Sequence, residues 1–324
     1  LNSGITYLPN VGDINSTSNL KGIFNFGQDG TFAGNVSAGG NADSNSYGNF
    51  KYAPPAGFLS LCSANLPVST VVPNEHFNTV LYTGTAAVQS ITGVGFQPDL
   101  IWGKQRNGTN AHAIVDSVRG NTKYLSSQRA NAEDIQTDVV TSFDSDGFTL
   151  GQAIGFDMNH SGSSLVAWSW NAGTSVSGNT SGSGTSKTYT GSVNAAAGFS
   201  IIKYIGNGTA GHTIPHHLGA EPDMMIIKGN EDTNDWYVYG RPIGNTKGMQ
   251  LSTSAAANTT NEYWDNTSPT STVFTTSFNP GNNRSNFPNI AYCFRNIEGY
   301  SKVGSYNGNG LSDGTFIYTG FRPG

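Results

Sequence analysis

Three histidines crowd one short stretch: His212, His216 and His217 in "HTIPHHLG". Zinc needs three or four such ligands on one side, each held from behind by a hydrogen bond. An aligned stretch earlier in the chain, Ala87-Val88-Gln89-Ser90-Ile91, carries no histidine. The sequence therefore predicts strand-and-turn histidines and no metal site. "FDSDGF" (143–148) offers calcium two carboxylates as D-x-D-G. Calcium wants six or more oxygens, and no EF-hand glutamate follows at the right distance. Asp and Gly also suit the φ angles of a tight hairpin turn, the expected role here.

Glycoside cleavage needs paired carboxylates, one with a raised pKa. "AEDIQTD" holds Glu133, Asp134 and Asp138, and "NEDTND" holds Glu231, Asp232 and Asp235. Both read as polar loops with nothing to raise an acid's pKa. Gly206, Gly208 and Gly211 spell G-x-G-x-x-G, but a dinucleotide site needs a helix to open there. "HTIPHHLG" has no helical pattern, so the glycines read as a turn. No G-x-S-x-G elbow, zinc-protease helix or P-loop is present. Cys62 and Cys293 show no metal-ligand spacing and are expected to be small buried apolar side chains. No catalytic residue and no cofactor are expected.

The elements that would position any site are repeated. "GFQPDLIWGK" (95–104) returns as "GAEPDMMIIK" (219–228), Gly120-Asn121-Thr122-Lys123 as Gly244-Asn245-Thr246-Lys247, and Ala167-Trp168-Ser169-Trp170 as Ala291-Tyr292-Cys293-Phe294. One offset across three blocks marks a tandem repeat. "YIGNGTAGHTIPHHLGAEPD" is echoed once more by "YNGNGLSDGTFIYTGFRPG" (306–324). The chain begins without Met and this last echo stops early, so it reads as a segment of a longer protein.

Short β-branched and aromatic runs, bounded by Gly, Asn, Asp, Ser and Pro, predict strands throughout. "MMII" predicts strands buried on both faces, and "LVAWSW" puts Trp168 and Trp170 on one face. "YLSSQRANAEDIQ" (124–136) has poor apolar spacing and reads as a loop with at most a turn or two of helix. Asp99 with Lys104 and Asp223 with Lys228 repeat a gap of five, which sends the side chains to opposite faces of a strand. They are expected to mark strand ends. "GTSVSGNTSGSGTSKTYTGSVNAAAG" (173–198) reads as a flexible or loosely extended linker.

Charged residues make up 11% of the 324-residue chain, against roughly 25% in ordinary soluble proteins. A formal charge of −5 with 16 basic residues gives no footprint for nucleic acid. No apolar run is long enough to cross a bilayer. The sharpest difference between the copies is aromatic. "DWYVYG" (235–240) stands where the first copy has "AHAIVD", and "EYWD" (262–265) where it has "DVVT". Exposed Trp and Tyr stack on sugar rings and anchor interfaces. Trp236, Tyr237, Tyr239, Tyr263 and Trp264 are therefore the candidate glycan or partner contacts.

"NFGQDGTFAG…GNFKYAPPAGFLSLCSANLP" resembles the C-terminal end of SPRY-type, concanavalin-like modules in tailed-phage structural proteins. "FQPDLIWGK…GNTKYL…SFDSDGFTLG…SLVAWSWNAG" resembles the tandem β-rich repeats that follow such modules in phages of marine bacteria. "HTIPHHLGAEPDMMIIK" is similar to an entry strand of those fibre proteins. The resemblance implies a non-enzymatic virion component, a fibre or surface appendage on the particle surface touching host glycans. Its implied partners are itself, as a homotrimer, other virion proteins and host polysaccharide. The alternatives are a capsid-decorating assembly protein, a tail depolymerase and a bacterial surface adhesin.

The expected fold is all-β, with tandem antiparallel β-sandwiches of jelly-roll or lectin-like type. The expected domains are the end of a SPRY-like module (1–72), repeat one (73–173), a linker (174–198), repeat two (199–300) and the start of a truncated third repeat (301–324).

Overall fold

The computed structural model describes residues 24–152, 158–312 and 314–323. The chain falls into two compact units, residues 1–67 with 320–324 and residues 68–319.

The described part of the first unit is nearly strandless. It has an isolated bridge between Asn41 and Phe50 and a 3-10 turn at Ser63–Asn65. The Asp43 carboxylate does the work of a ladder. It accepts the backbone N–H groups of Asn45 and Tyr47 (2.9 Å each) and Ser60 (2.7 Å), and the Asn65 amide (2.7 Å). Just ahead of "PPAGF" only Phe50 is bridged, and Pro54 and Pro55 have no N–H to donate to a ladder.

The second unit holds both repeats, and each is an antiparallel sandwich. Repeat one runs β1 (Phe77–Thr83), β2 (Gln89–Thr92), β3 (Leu100–Gln105), β4 (Ala113–Asp116), β5 (Lys123–Tyr124), β6 (Asp134–Ile135), β7 (Val140–Asp144), β8 (Gly147–Leu150) and β9 (Ser164–Trp170). Its main sheet has the order β1-β9-β3-β4, and β2-β8-β7 forms the facing sheet.

Repeat two runs β10 (Thr174–Asn179), β11 (Ser181–Gly182), β12 (Thr188–Asn194), β13 (Phe199–Ile205), β14 (His212–Pro215), β15 (Met224–Gly229), β16 (Tyr237–Gly240), β17 (Lys247–Gln250), β18 (Asn258–Thr259), β19 (Val273–Thr276), the short helix α1 (Pro280–Asn283) and β20 (Pro288–Phe294). Its main sheet, β10-β12-β13-β20-β15-β16-β17-β18, contains the repeat-one order as β13-β20-β15-β16, and β11-β14-β19 faces it. Register repeats too: Leu100 sits opposite Trp170, and Met224 opposite Phe294.

The tract at 174–198 is not a linker. It supplies β10, β11 and β12, the last paired with β13 from Tyr189↔Tyr204 to Asn194↔Phe199. Tyr189 and Val193 alternate inward to the repeat-two core, while Thr188 and Thr190 are exposed. Glycine lets the ring lie close here, since a Cβ on Gly178 would meet the Tyr189 hydroxyl at 2.9 Å. The small residues that read as flexibility are the ones that let this hairpin close over an aromatic ring. The equivalent hairpin is missing beside β1, which pairs with β9 alone among the described residues. Residues 302–319 carry no strand among the described positions, with Tyr306 and Phe316 exposed.

Three apolar cores hold the second unit together. Repeat one closes Ile91, Phe148 and Leu150 over Ile101, Val115 and Ala167. Repeat two closes Ile214 and Phe274 over Ile202, Tyr204, Met225, Ile227 and Cys293. The third core lies between the repeats. Leu100, Ile114 and Leu125 from one copy pack with Phe199, Ile201, Ile226, Trp236, Val238, Ile290 and Tyr292 from the other. The two-residue period explains the split, because Ile227 points into its own sandwich and Ile226 into the shared core. The main strands are therefore buried on both faces, as "MMII" predicts.

Candidate functional site

The five aromatic candidates do not form a surface. Trp236 is 0% exposed, Tyr237 5%, Tyr239 1%, Tyr263 6% and Trp264 1%. Tyr237, Tyr239, Tyr263 and Trp264 fill the repeat-two sandwich, with the Tyr237 and Tyr263 rings 4.6 Å apart. The Trp264 indole N–H donates to the Lys247 carbonyl (3.1 Å). These rings pack on one another, with Tyr239 and Trp264 5.7 Å apart and Tyr263 and Trp264 6.3 Å apart. None of the five is placed to stack on a glycan.

The histidines diverge. His212 lies between Asn283 (2.9 Å) and Thr180 (2.6 Å). His216 donates through Nε2 to the Thr270 carbonyl (3.1 Å) and accepts the Leu218 N–H at Nδ1 (3.2 Å). His217 pairs with the Tyr189 hydroxyl (2.8 Å). Burial lowers the pKa of all three, His216 to about 4. A histidine held neutral in the fold stabilises it fully above its unfolded pKa of about 6.5. That stability drains as pH falls through the folded pKa. Repeat two is thus expected to weaken between pH 6.5 and about 4, with His216 accounting for roughly 3 kcal/mol. Urea titrations across that range check it, and His216→Gln flattens the profile.

The other motifs resolve into structure. Asp144 to Gly147 form the β7–β8 turn. Asp146 accepts the N–H groups of Gly95 (2.6 Å) and Gly93 (3.1 Å), tying that turn to the β2–β3 loop. No helix follows Gly206, Gly208 and Gly211, and β14 starts at the next residue. Cys293 is buried, but Cys62 is exposed in the glycine-rich first unit. Asp99 and Asp223 do mark strand ends. Asp99 accepts the N–H groups of Ala172 and Gly173, and Asp223 that of Asn296. Lys104 donates to the carbonyls of Gln105 and Gly108, and Lys228 to those of Gly229 and Asp232. The repeated Asp and Lys clamp the same loops twice.

Of the carboxylates singled out for glycosidase chemistry, Glu133, Asp232 and Asp235 are engaged, while Asp138 and Glu231 are exposed. Both Glu133 oxygens sit in ion pairs, with Arg119 and with Lys123 (3.1 Å each). Asp232 binds the buried Lys228 ammonium (3.2 Å). Asp235 holds Gln250 and Ser252 (2.9 Å each).

The most built feature of the second unit is the junction of its repeats. Arg119 is buried there with Asp116 (2.5 Å), and the Tyr292 hydroxyl of repeat two donates to the same carboxylate (2.7 Å). Arg119 also donates to the Ile114 carbonyl (3.1 Å). The Trp236 indole N–H crosses the junction to the carbonyls of Ser126 (3.0 Å) and Arg129 (3.1 Å). The Glu133 N–H donates to the Asn230 carbonyl (2.6 Å). The 126–134 loop of repeat one is therefore fixed by repeat two at both ends.

Beside this junction lies a cleft of about 740 Å³. Its lips are the same loop taken from each copy: Thr109 and Asn110 from repeat one, Thr233 from repeat two. Arg129, Asn131 and Asp134 line the rim and are exposed, while Tyr124 and Ser126 at its floor are buried. The sequence reads residues 124–136 as a loop with at most a turn or two of helix; the structure has no helix there and ends the loop on β5 and β6. The signal the sequence held was Trp236, whose role is to brace this loop from the neighbouring repeat.

Fold and junction define an all-β tandem-repeat protein of two fused sandwiches. Residues 72–324 match a family described as a domain of unknown function, DUF7483. The chain belongs to that family. No curated protein and no solved structure matches it.

Proposed function

We propose that this chain is a non-enzymatic structural component of a tailed-phage virion, a fibre or surface appendage that meets host surface glycans. The observation that carries the reading is the fusion of the repeats. A shared apolar core and the buried Arg119–Asp116 pair make the tandem sandwiches one stiff piece, which suits a part that must transmit contact without unfolding. The resemblance of "NFGQDGTFAG" and "SLVAWSWNAG" to phage fibre sequences supplies the setting. With it comes a homo-oligomer, a trimer first, since thin sandwiches gain by burying surface against copies of themselves.

The candidate aromatics no longer support the host-contact half, because they are buried within the chain. That burial keeps the second reading in view, a capsid-decorating assembly protein without receptor binding.

Immunogold labelling of purified particles, with antibody against residues 74–324, tests the proposal. Gold on fibres or the tail tip is the expected result. Gold spread over the head moves the protein to decoration. Label on bacterial surfaces and none on particles replaces the virion reading with an adhesin.

A further inference from the structure

The junction cleft has the makings of a ligand site. Its volume of about 740 Å³ lies inside the range of ligand pockets, roughly 300–1,000 Å³. Its wall cannot drift, because Trp236 and Asn230 hold the 126–134 loop by backbone bonds. A preformed wall spares a ligand the cost of ordering it.

The uncharged polar groups it presents are of one kind. Thr109, Asn110, Asn131 and Thr233 offer hydroxyls and amides, each able to donate and accept. At the floor the Ser126 hydroxyl, on a residue 6% exposed, is buried with no hydrogen-bond partner. A buried polar group left unsatisfied carries a cost that a bound partner relieves. Charge is present but balanced. The lining holds one cation, Arg129, and two carboxylates, Glu133 and Asp134; Glu133 is already neutralised by Arg119 and Lys123 behind it, which leaves Arg129 and Asp134 as the opposed free charges of the rim. Such a site exerts no net pull on an anion or a cation. Among the described residues no group of three or more His, Cys, Asp or Glu could hold a metal ion.

We infer that the cleft binds a neutral oligosaccharide. A polyhydroxylated, uncharged chain uses many small donor–acceptor groups at once and needs no net charge. Repeat one supplies most of the lining, and repeat two supplies the Thr233 lip and the bonds that fix the 126–134 loop. Other hollows carry less. In the cleft lined by Ser117, Gly173 and Ser192, the Asp99 carboxylate is already taken by Ser117, Ala172 and Gly173. This inference deepens the host-contact part of the proposed function and rests on it for its biological setting.

The test is a microarray of neutral and acidic bacterial-surface oligosaccharides, probed with the full chain. Thr233→Trp plugs the cleft from an exposed lip position, and Arg129→Ala with Asn131→Ala removes rim donors. Retention on neutral glycans is expected, falling about tenfold or more in both variants while the urea midpoint stays put. The inference is overturned if no neutral glycan is retained, if acidic glycans are preferred, if Thr233→Trp binds as well as the parent, or if a retained glycan is cut. An empty array with gold on the fibres would sink the cleft and leave the virion reading. Glycan binding without gold on particles would do the reverse.

Discussion

Trp236→Ala is expected to destabilise the chain by about 3–5 kcal/mol, the usual cost of emptying a large aromatic site. The indole is fully buried, stacks near Tyr292 with ring centres 6.5 Å apart, and donates across the junction to Ser126 and Arg129. Alanine leaves a void in the shared core and orphans the bond that braces the 126–134 loop. Urea unfolding should show a lower midpoint, and amide exchange should rise at Glu133. Trp264→Ala is the matched comparison, since that indole lies in the repeat-two sandwich. It should cost similar stability yet leave exchange at Glu133 slow below the transition. Equal loosening of Glu133 in both variants would mean that Trp236 has no special hold on the junction.

Arg119→Met is expected to be as damaging, about 3–5 kcal/mol, for a different reason. Its guanidinium and the Asp116 carboxylate are both fully buried. Removing the cation leaves the Asp116 charge in the core without a counter-charge, held only by the Tyr292 hydroxyl and the backbone N–H of residue 119. Asp116→Leu alone should also destabilise, by somewhat less, because Arg119 keeps the Glu133 carboxylate as a counter-charge. The double substitution Arg119→Met with Asp116→Leu should then cost much less than the sum, because no lone charge remains buried. A double-mutant cycle in urea reads this directly. Strict additivity would contradict a coupled pair at the junction.

These two residues also show where the sequence was transparent and where it was not. The all-β class, the repeat and the two-faced burial of "MMII" follow from composition and period, and all are local properties. Asp99 and Lys104 kept their spacing in Asp223 and Lys228 because the loops they clamp recur. The hairpin β10–β12 hid behind small residues, although Tyr189 and Val193 keep the two-residue period within the tract. Trp236 and Tyr239 stood out as copy-specific aromatics, but a strand pattern cannot say what covers each face. Here one face met the neighbouring repeat and the other its own sandwich. Arg119 carried no visible signal at all. Its partner Tyr292 aligns with Trp168 of the first copy, and nothing in a one-dimensional repeat tells that the two copies stack. The cleft was illegible for the same reason, since Thr109 and Thr233 are 124 positions apart.

The two repeats form one body with a shared core. Native-state hydrogen exchange on the full chain, with rising sub-denaturing urea, tests it most directly. Slow amides of β3 and β15 are expected to open with one free energy and one urea dependence. Opening of β3 at a lower free energy, with β15 still closed, would contradict it and leave independent sandwiches on a string.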